Sequence, residues 1–576
     1  MKLKKLFFAT LAATSLVSCS EQMDYKEYAV NEKEYIQETF GRVAGFMTKI
    51  YNDIDYDFGN YYGGAVLGAA TDEAVYSHDG NAIETFFNGS WGPAKANANI
   101  WSTCWDGISY CNLLLDEFTG LTFPNYVNDL EYMQEMHQYN NYQYEARWAR
   151  AYFYFNLLRQ YGSVPLKTRH MEADEANSLP KASAEEIFQF IDDECVAIKD
   201  NIVQDYGNLG VYAYGISETG RANNLAVLAL RARAALYHAS PLFNPNNDQT
   251  LWQKALEANW ELIRTCTSTR QMRLAADYSS LFAKDNWSSN DALREMIFGR
   301  RVAASRSFET YNFPVGMSGG GAGGGGGNCP TQNLVDAYEM TNGMAIDEAG
   351  SGYDPQNPYA NRDARLAKTV AVNGESWPNV ISKPLETYVG GDNGLPNANA
   401  TPTGYYLKKY VDGATQISGT SASTERHVWV IFRLAEFYLN YAEAALQLTN
   451  GDGYTAPSGY SMTAAQAINT VRTRAGQPDL ATGLNATDFR AKYENERFVE
   501  LAFEGHRFYD VRRWMKAPQY FINIRGMQIT KNADDTFTFT PKTVQTRVWD
   551  NRMYFFPIAQ SEVLKSGGAL SQTTGW

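Results

Sequence analysis

The chain has little of what metal catalysis or nucleic-acid binding needs. Six histidines are scattered over 576 residues and no His-Glu-x-x-His occurs, so zinc hydrolysis has no support. Lysine and arginine number 50 against 64 aspartates and glutamates, a net charge of −14. That excess of acid argues against a basic patch for nucleic acid or an anionic membrane surface. Cysteine is sparse. Beyond Cys19 there are Cys104, Cys111, Cys195, Cys266 and Cys329, and an odd five cannot all pair within the chain. Cys104 and Cys111 lie seven apart on a predicted helix, ~10 Å along its axis, too far for a bridge. All five read as buried thiols, with no disulfide framework and no metal site. No second long apolar run follows the first eighteen residues, so everything after Cys19 is expected to be soluble.

The N-terminus is the first positive signal. Lys2, Lys4 and Lys5 precede an apolar stretch, Leu6 to Leu16, which runs into Leu16-Val17-Ser18-Cys19. This predicts a secretory signal peptide over residues 1–18, too short to span a bilayer. The Leu-Val-Ser-Cys ending resembles the lipobox of bacterial lipoproteins, which implies cleavage before Cys19 and lipid on that cysteine. Losing residues 1–18 removes three lysines and no acid, which takes the net charge from −14 to −17. The expected product is held at a membrane by lipid rather than by a spanning helix.

Apolar residues recur at helical steps in several segments. Ile100-Trp101, Cys104-Trp105, Ile108, Cys111 and Leu115 form one. Glu145–Tyr161 stops at Gly162 with Pro165 beyond, a C-cap and a breaker. Ala184–Lys199 follows Ser183 as N-cap. Arg221–Ala239, Trp252–Thr265, Ile431–Leu448 and Ala464–Arg474 complete three pairs, and Phe489–Trp514 is predicted as one long charged helix. Such pairs resemble tetratricopeptide units, whose stacking buries faces that no pair could bury alone. Residues 267–427 are rich in Gly, Asn, Pro and Thr, with short β-like runs such as Thr369–Val372. The expectation is a mainly α fold. Tetratricopeptide-like pairs over about 30–266 and 428–515 support a loop-rich, ligand-facing insertion at about 267–427. An irregular segment, 516–576, closes a single domain spanning 19–576.

The helical segments also carry recognisable wording, in order. Thr71–Ala74 reads TDEA, Arg150–Leu166 reads RAYFYFNLLRQYGSVPL, and Arg221–Tyr237 reads RANNLAVLALRARAALY. PTQNLVDAYEMTNG (Pro330–Gly343), FRLAEFYLNYAEAAL (Phe432–Leu446) and AINTVRTRAG (Ala467–Gly476) follow. ERFVELAFEGHRFYDVRRW (Glu496–Trp514) and FFPIAQSEV (Phe555–Val563) close the series. Together with the lipobox, this ordered set resembles the SusD/RagB family of nutrient-uptake outer-membrane lipoproteins over essentially the whole chain. The resemblance implies four tetratricopeptide-like pairs under a loop-rich face. It also implies capture of an oligosaccharide at the cell surface and its delivery to a TonB-dependent, SusC-like transporter, with no cofactor. Two other functions stay open: a glycoside hydrolase with an unrecognised carboxylate pair, and a helical-repeat adaptor that binds protein.

Candidate chemistry is weighed against structural roles. Arg497, Glu500, Glu504 and Arg507 fall at three- and four-residue steps, so their charges are expected to pair along one helix rather than act as a catalytic pair. Family members use this helix as scaffold, which agrees. Gly319–Gly327 holds eight glycines and Ala322 but no following Lys-Ser/Thr, and is expected as a flexible loop rather than a phosphate loop. Asp53, Asp55 and Asp57 alternate before Gly59, but position twelve of a calcium loop would be Gly64, so a solvated loop is expected. The ligand candidates are aromatics and amides outside helices. Trp91, Asn88, Phe87 and His78, with Phe86, lie in Ser77–Asn99, where Trp91 between Gly89-Ser90 and Gly92-Pro93 is expected as an exposed stacking platform. Sugar rings present C–H faces to aromatics and hydroxyls to amides. Trp287, Tyr311, Asn328 and Trp377 are further candidates from the insertion, together with Phe308 and Tyr388. The resemblance places the glycan site in these same regions.

Overall fold

Helices begin where a short polar side chain can take a free backbone N–H. In the computed structural model, which describes residues 33–97, 100–213, 220–317, 323–380 and 382–576, this holds for most of the long helices. Thr39 caps α1 (Phe40–Asn52), and Phe40, Val43, Met47 and Ile50 form its buried stripe. α2 (Ile100–Glu117) packs on α3 (Tyr132–Tyr161), which ends at Gly162 with φ 71°. A capping box of Ser183 and Glu186 starts α4 (Ala184–Ile198). Asn223 caps α5 (Asn224–Ala239) and Asp248 caps α6 (Gln249–Arg264). Further along come α7 (Leu434–Leu448), α8 (Ala464–Arg474), whose capping box is Thr463 and Gln466, α9 (Ala486–Glu500) and α10 (Arg507–Arg513). The predicted pairs α3–α4, α5–α6 and α7–α8 all pack together. α4 also packs on α5 and α6 on α7, so the pairs join into one continuous stack.

Three predicted boundaries move. α3 begins at Tyr132, thirteen residues before the apolar run, because its first turns are polar. The segment from Ile431 is strand first: β6 (Val428–Arg433) runs into α7. The charged helix predicted over Phe489–Trp514 breaks after Glu500, where Phe503 (φ 60°) and Gly505 (φ 77°) reverse the chain before α10.

Strand pairs tie the insertion to the stack. β1 (Ala74–Tyr76) pairs antiparallel with β3 (Asn328–Pro330), and β2 (Met296–Arg301) with β6. β4 (Val370–Ala371) pairs with β5 (Tyr406–Leu407). The segment 516–576, expected to be irregular, instead carries the long hairpin of β7 (Asn523–Lys531) and β8 (Phe537–Thr546). A single hydrophobic cluster reaches from Phe40 to Leu570 and takes in insertion residues such as Phe308, Phe313 and Trp377.

Arg497, Glu500, Glu504 and Arg507 do pair, but across the fold rather than with one another. Arg497 meets Asp510 at 2.7 Å, Arg507 meets Asp72 at 2.7 Å, and Arg513 meets Glu443 at 2.7 Å. Glu504 takes Lys409 and Arg433. All these side chains are buried, so the network is a structural core element. The five described cysteines are free and buried, and burial pushes the Cys266 and Cys329 thiols up to about 12. Among the described residues no helix is long and apolar enough to cross a membrane. The leader and Cys19 lie outside the described residues.

Candidate functional site

The glycine tract shapes the loop-rich face. It was expected to be a flexible loop, yet its described part, residues 323–327, is wedged between other backbone segments. A Cβ at Gly324 would lie 2.1 Å from the Phe313 carbonyl oxygen, and one at Gly327 2.3 Å from that of Tyr311. A Cβ at Gly326 (φ 81°) would meet the Asn399 oxygen at 2.1 Å. Only bare backbone fits there. Gly325 N–H donates to Thr310 O (2.8 Å) and Gly326 N–H to Phe313 O (2.9 Å).

β1 lies against this tract. Ser77 N–H donates to Gly327 O at 2.9 Å. His78 Nε2 sits 2.5 Å from Gly325 O, which can only accept, so the proton is on Nε2. The His78 ring stacks on Tyr76, centroids 5.1 Å apart and planes 23° apart. The Tyr76 hydroxyl donates to Gly63 O at 3.0 Å, and burial pushes it up to about 12.

The end of β1, the 395–402 loop and β8 border a half-open cavity of about 560 Å³, within the range of ligand sites. Its polar groups are Ser77, His78, Asp79, Asn399 and Gln545, and Leu395 and Val544 give it apolar wall. The Ser77 Oγ is buried and has no hydrogen-bond partner. The Gln545 Oε1 accepts from Arg547 Nε at 3.0 Å, leaving its NH₂ for other acceptors. The Thr401 hydroxyl gathers the amides of Thr403, Gly404 and Tyr405, which fixes the loop's return.

Of the residues the sequence pointed to, His78 lies in this cavity. Trp91 does not, and it is not a platform. It is 3% exposed, edge-on to Phe86 (4.8 Å), Phe556 (4.8 Å) and Trp576 (5.3 Å), and its indole donates to Ala96 O at 2.9 Å. The turn around it folds inward because the indole finds both apolar partners and a carbonyl there. Asn328 is fully buried and spent on Val66 N (2.9 Å), Gly64 O (3.0 Å) and Asn312 (2.9 Å). Trp377 is buried against Phe313, with centroids 5.8 Å apart, and Phe308 is buried. Phe87 is half-buried over the Arg547 guanidinium at 4.1 Å, one contact from Gln545. Asn88 is exposed, but its Oδ1 accepts from Ser90 N–H and Oγ in its own turn. Trp287 is half-buried beside Arg301, and half-buried Tyr388 packs against Phe537; neither lines the cavity. Half-buried Tyr311 supports the glycine tract from behind through its carbonyl. Sequence reasoning missed Ser77, Asp79, Leu395, Asn399 and Gln545. The signal available was Ser77–Asp79 beside His78; the others come together through chain packing alone.

The aspartates before Gly59 are not a solvated loop. Asp53 pairs with Lys49 (2.7 Å), and Asp55 accepts from Tyr152 (2.8 Å) and Asn156 (3.0 Å). Asp57 accepts from Leu67 N–H (2.6 Å), and burial pushes its carboxyl up to about 7. Among the described residues no group of three metal-ligating side chains gathers.

Residues 290–576 match a family model described as the SusD family, and residues 23–233 match one described as starch-binding associating with outer membrane. SusD-like protein P25 of Formosa agariphila is 21% identical over 561 residues, 89% of this chain and 90% of P25. A SusD-like protein of Bacteroides fragilis has a similar structure, with a TM-score of 0.75 and 22% identity, covering 94% of this chain and 98% of that one. A SusD-like carbohydrate-binding protein from the same organism gives a TM-score of 0.70 at 22% identity, over 92% of this chain and 99% of that one.

Proposed function

Since the chain belongs to the SusD/RagB family, we propose that it binds a glycan in the cavity between β1, the 395–402 loop and β8. The observation that carries this reading is the cavity's mixed lining. Ser77, His78, Asp79, Asn399 and Gln545 offer both donors and acceptors, as sugar hydroxyls require, beside apolar Leu395 and Val544. The protein captures oligosaccharide without cleaving it. Both glycosidase geometries use two carboxyl groups flanking the bond, and Asp79 is the one carboxylate lining this cavity.

The same reading places the mature protein at the outer-membrane surface, anchored through Cys19, where it hands its ligand to a TonB-dependent transporter. The lipobox supports the anchor, and the family resemblance supports the transporter. A glycan array on a soluble form beginning after Cys19 identifies the ligand. Binding to one oligosaccharide class with no release of reducing ends supports the proposal. Reducing ends released with turnover, or no binding to any glycan, would overturn it. For the anchor, Cys19→Ala should move the protein from the membrane fraction to the soluble one.

A further inference from the structure

A second cavity lies between α2 and the segments around residues 165–179 and 562–570, and shares no lining residue with the first. Its volume is about 320 Å³. Trp101 and Trp105 stand four apart on α2, so they share a helix face. Their rings are 5.6 Å apart at 70°, and both are half-exposed at the edge of the core they pack against. Trp101 leans edge-on to Tyr161 at 4.8 Å and Trp105 to Tyr154 at 6.0 Å, which fixes both indoles.

Two donors in this cavity are poorly served. The Trp105 Nε1 is buried with no hydrogen-bond partner. Lys167 is 7% exposed, and its Nζ reaches only Ser109 Oγ, at a long 3.4 Å. The Lys167 backbone is pinned, since its N–H donates to the Tyr154 hydroxyl (2.6 Å) and its carbonyl accepts from Asn112 Nδ2 (3.0 Å). The acids of the lining do not serve Lys167. Glu562 pairs with Lys565 at 2.7 Å, and Asp106 is exposed on α2. A buried ammonium is costly; burial lowers the Lys167 pKa, against the pull of Glu172 and Glu175, which lie outside the lining. An indole N–H and an ammonium lining one groove call for an acceptor carrying negative charge, and the paired tryptophan faces call for a ring with C–H surface.

We propose that this groove is a second ligand site and takes an acidic sugar, a uronic acid residue. Its carboxylate accepts from Lys167 Nζ and Trp105 Nε1, and its ring rests against the Trp101–Trp105 pair. Asn177, also in the lining, is placed for a ring hydroxyl.

The test follows indole N–H resonances of ¹⁵N-tryptophan-labelled protein, with the Trp105 signal assigned by its loss in Trp105→Phe. Methyl β-D-glucuronide and methyl α-D-galacturonide are the probes, and methyl β-D-glucoside is the neutral control. The expected result is a saturable shift of the Trp105 signal with a uronide and none with the glucoside. Lys167→Met should weaken uronide binding at least ~10-fold, and Lys167→Arg should retain it. No saturable shift with either uronide, an equal response to the glucoside, or undiminished uronide binding in Lys167→Met would overturn the proposal. The comparison of uronide with glucoside needs only the native chain, so a variant that fails to fold does not remove the test.

Discussion

Arg433 Nη1 donates to Glu500 Oε1 at 2.6 Å, with both side chains almost wholly buried. Arg365 reaches the same carboxylate at 2.8 Å, and Arg474 also pairs with it. Three arginines from the β6 terminus, the insertion and α8 therefore meet on one residue at the end of α9. This junction locks the loop-rich insertion to the helical stack, so it underlies the shape of the ligand face. Glu500→Gln would leave the arginines with an uncompensated buried charge. A loss of about 3–5 kcal/mol is expected, read from the urea midpoint by far-UV circular dichroism.

The same carboxylate sets the acid limit of stability. Burial pushes the Glu500 carboxyl up, but Arg474, Arg433 and Arg365 pull it well below the usual range. Glu443 is depressed in the same way, against its burial, by Arg513 and Arg490. A depressed folded pKa gives stability that is present above the unfolded value of ~4.3 and lost as pH falls below it. Below about pH 5 the urea midpoint should drop steeply. A flat profile through pH 3 would contradict this account.

Glu73 behaves in the opposite sense. It accepts from Phe503 N–H at 3.1 Å, and burial pushes it up to about 8. A raised folded pKa means the native state holds a proton that the unfolded chain releases above ~4.3. Its contribution is full below that value and is lost as pH rises through about 8. Glu73→Gln keeps an acceptor for Phe503 and removes the titration. Measured across that window, the variant should gain stability relative to the native chain as pH rises.

Much of the helical stack was legible because its signals are local. Gly162 ended a helix, Ser183 began one, and the pairs α5–α6 and α7–α8 showed their apolar spacing. The ion network was legible in its residue types but not in its partners. Arg365, Glu295 and Glu443 are distant in sequence, and no periodicity links them to α9. The site was the least legible part. Trp91 and Trp377 look like platforms in turn-rich sequence, yet the chain folds their turns inward, where large aromatics gain most from burial. Conversely, Trp101 and Trp105 read as core by their helical spacing and end beside a groove. The cavity's own residues are small and polar, and His78, Asn399 and Gln545 meet only through tertiary packing.

Trp91→Ala separates core from site. The buried indole should cost about 3–5 kcal/mol of stability when removed, with a sharply lowered Tm. Glycan affinity, measured by calorimetry well below that Tm, should change little. Lost affinity without lost stability would return Trp91 to the ligand face.

Gly326→Ala tests the glycine tract. A Cβ at φ 81° would strike the Asn399 carbonyl and lie 2.9 Å from Ser77 Oγ. The strain is on the order of 1–3 kcal/mol. Since Ser77 and Asn399 both line the cavity, glycan affinity should fall together with thermal stability. A variant with native Tm would show the tract to be slack.

The most direct measurement of the account is calorimetry of the soluble protein against its array-identified glycan, repeated with Asn399→Ala/Gln545→Ala. Both side chains line the cavity; the variant gives up the Gln545 contact to Arg547 and places Ala at the left-handed φ of 60° at position 399, so Tm should fall modestly while affinity, measured well below it, falls about 10-fold or more, the ~1.4 kcal/mol or greater expected when hydrogen bonds to a ligand are removed. Native affinity in the double variant would contradict the placement of the glycan site in this cavity.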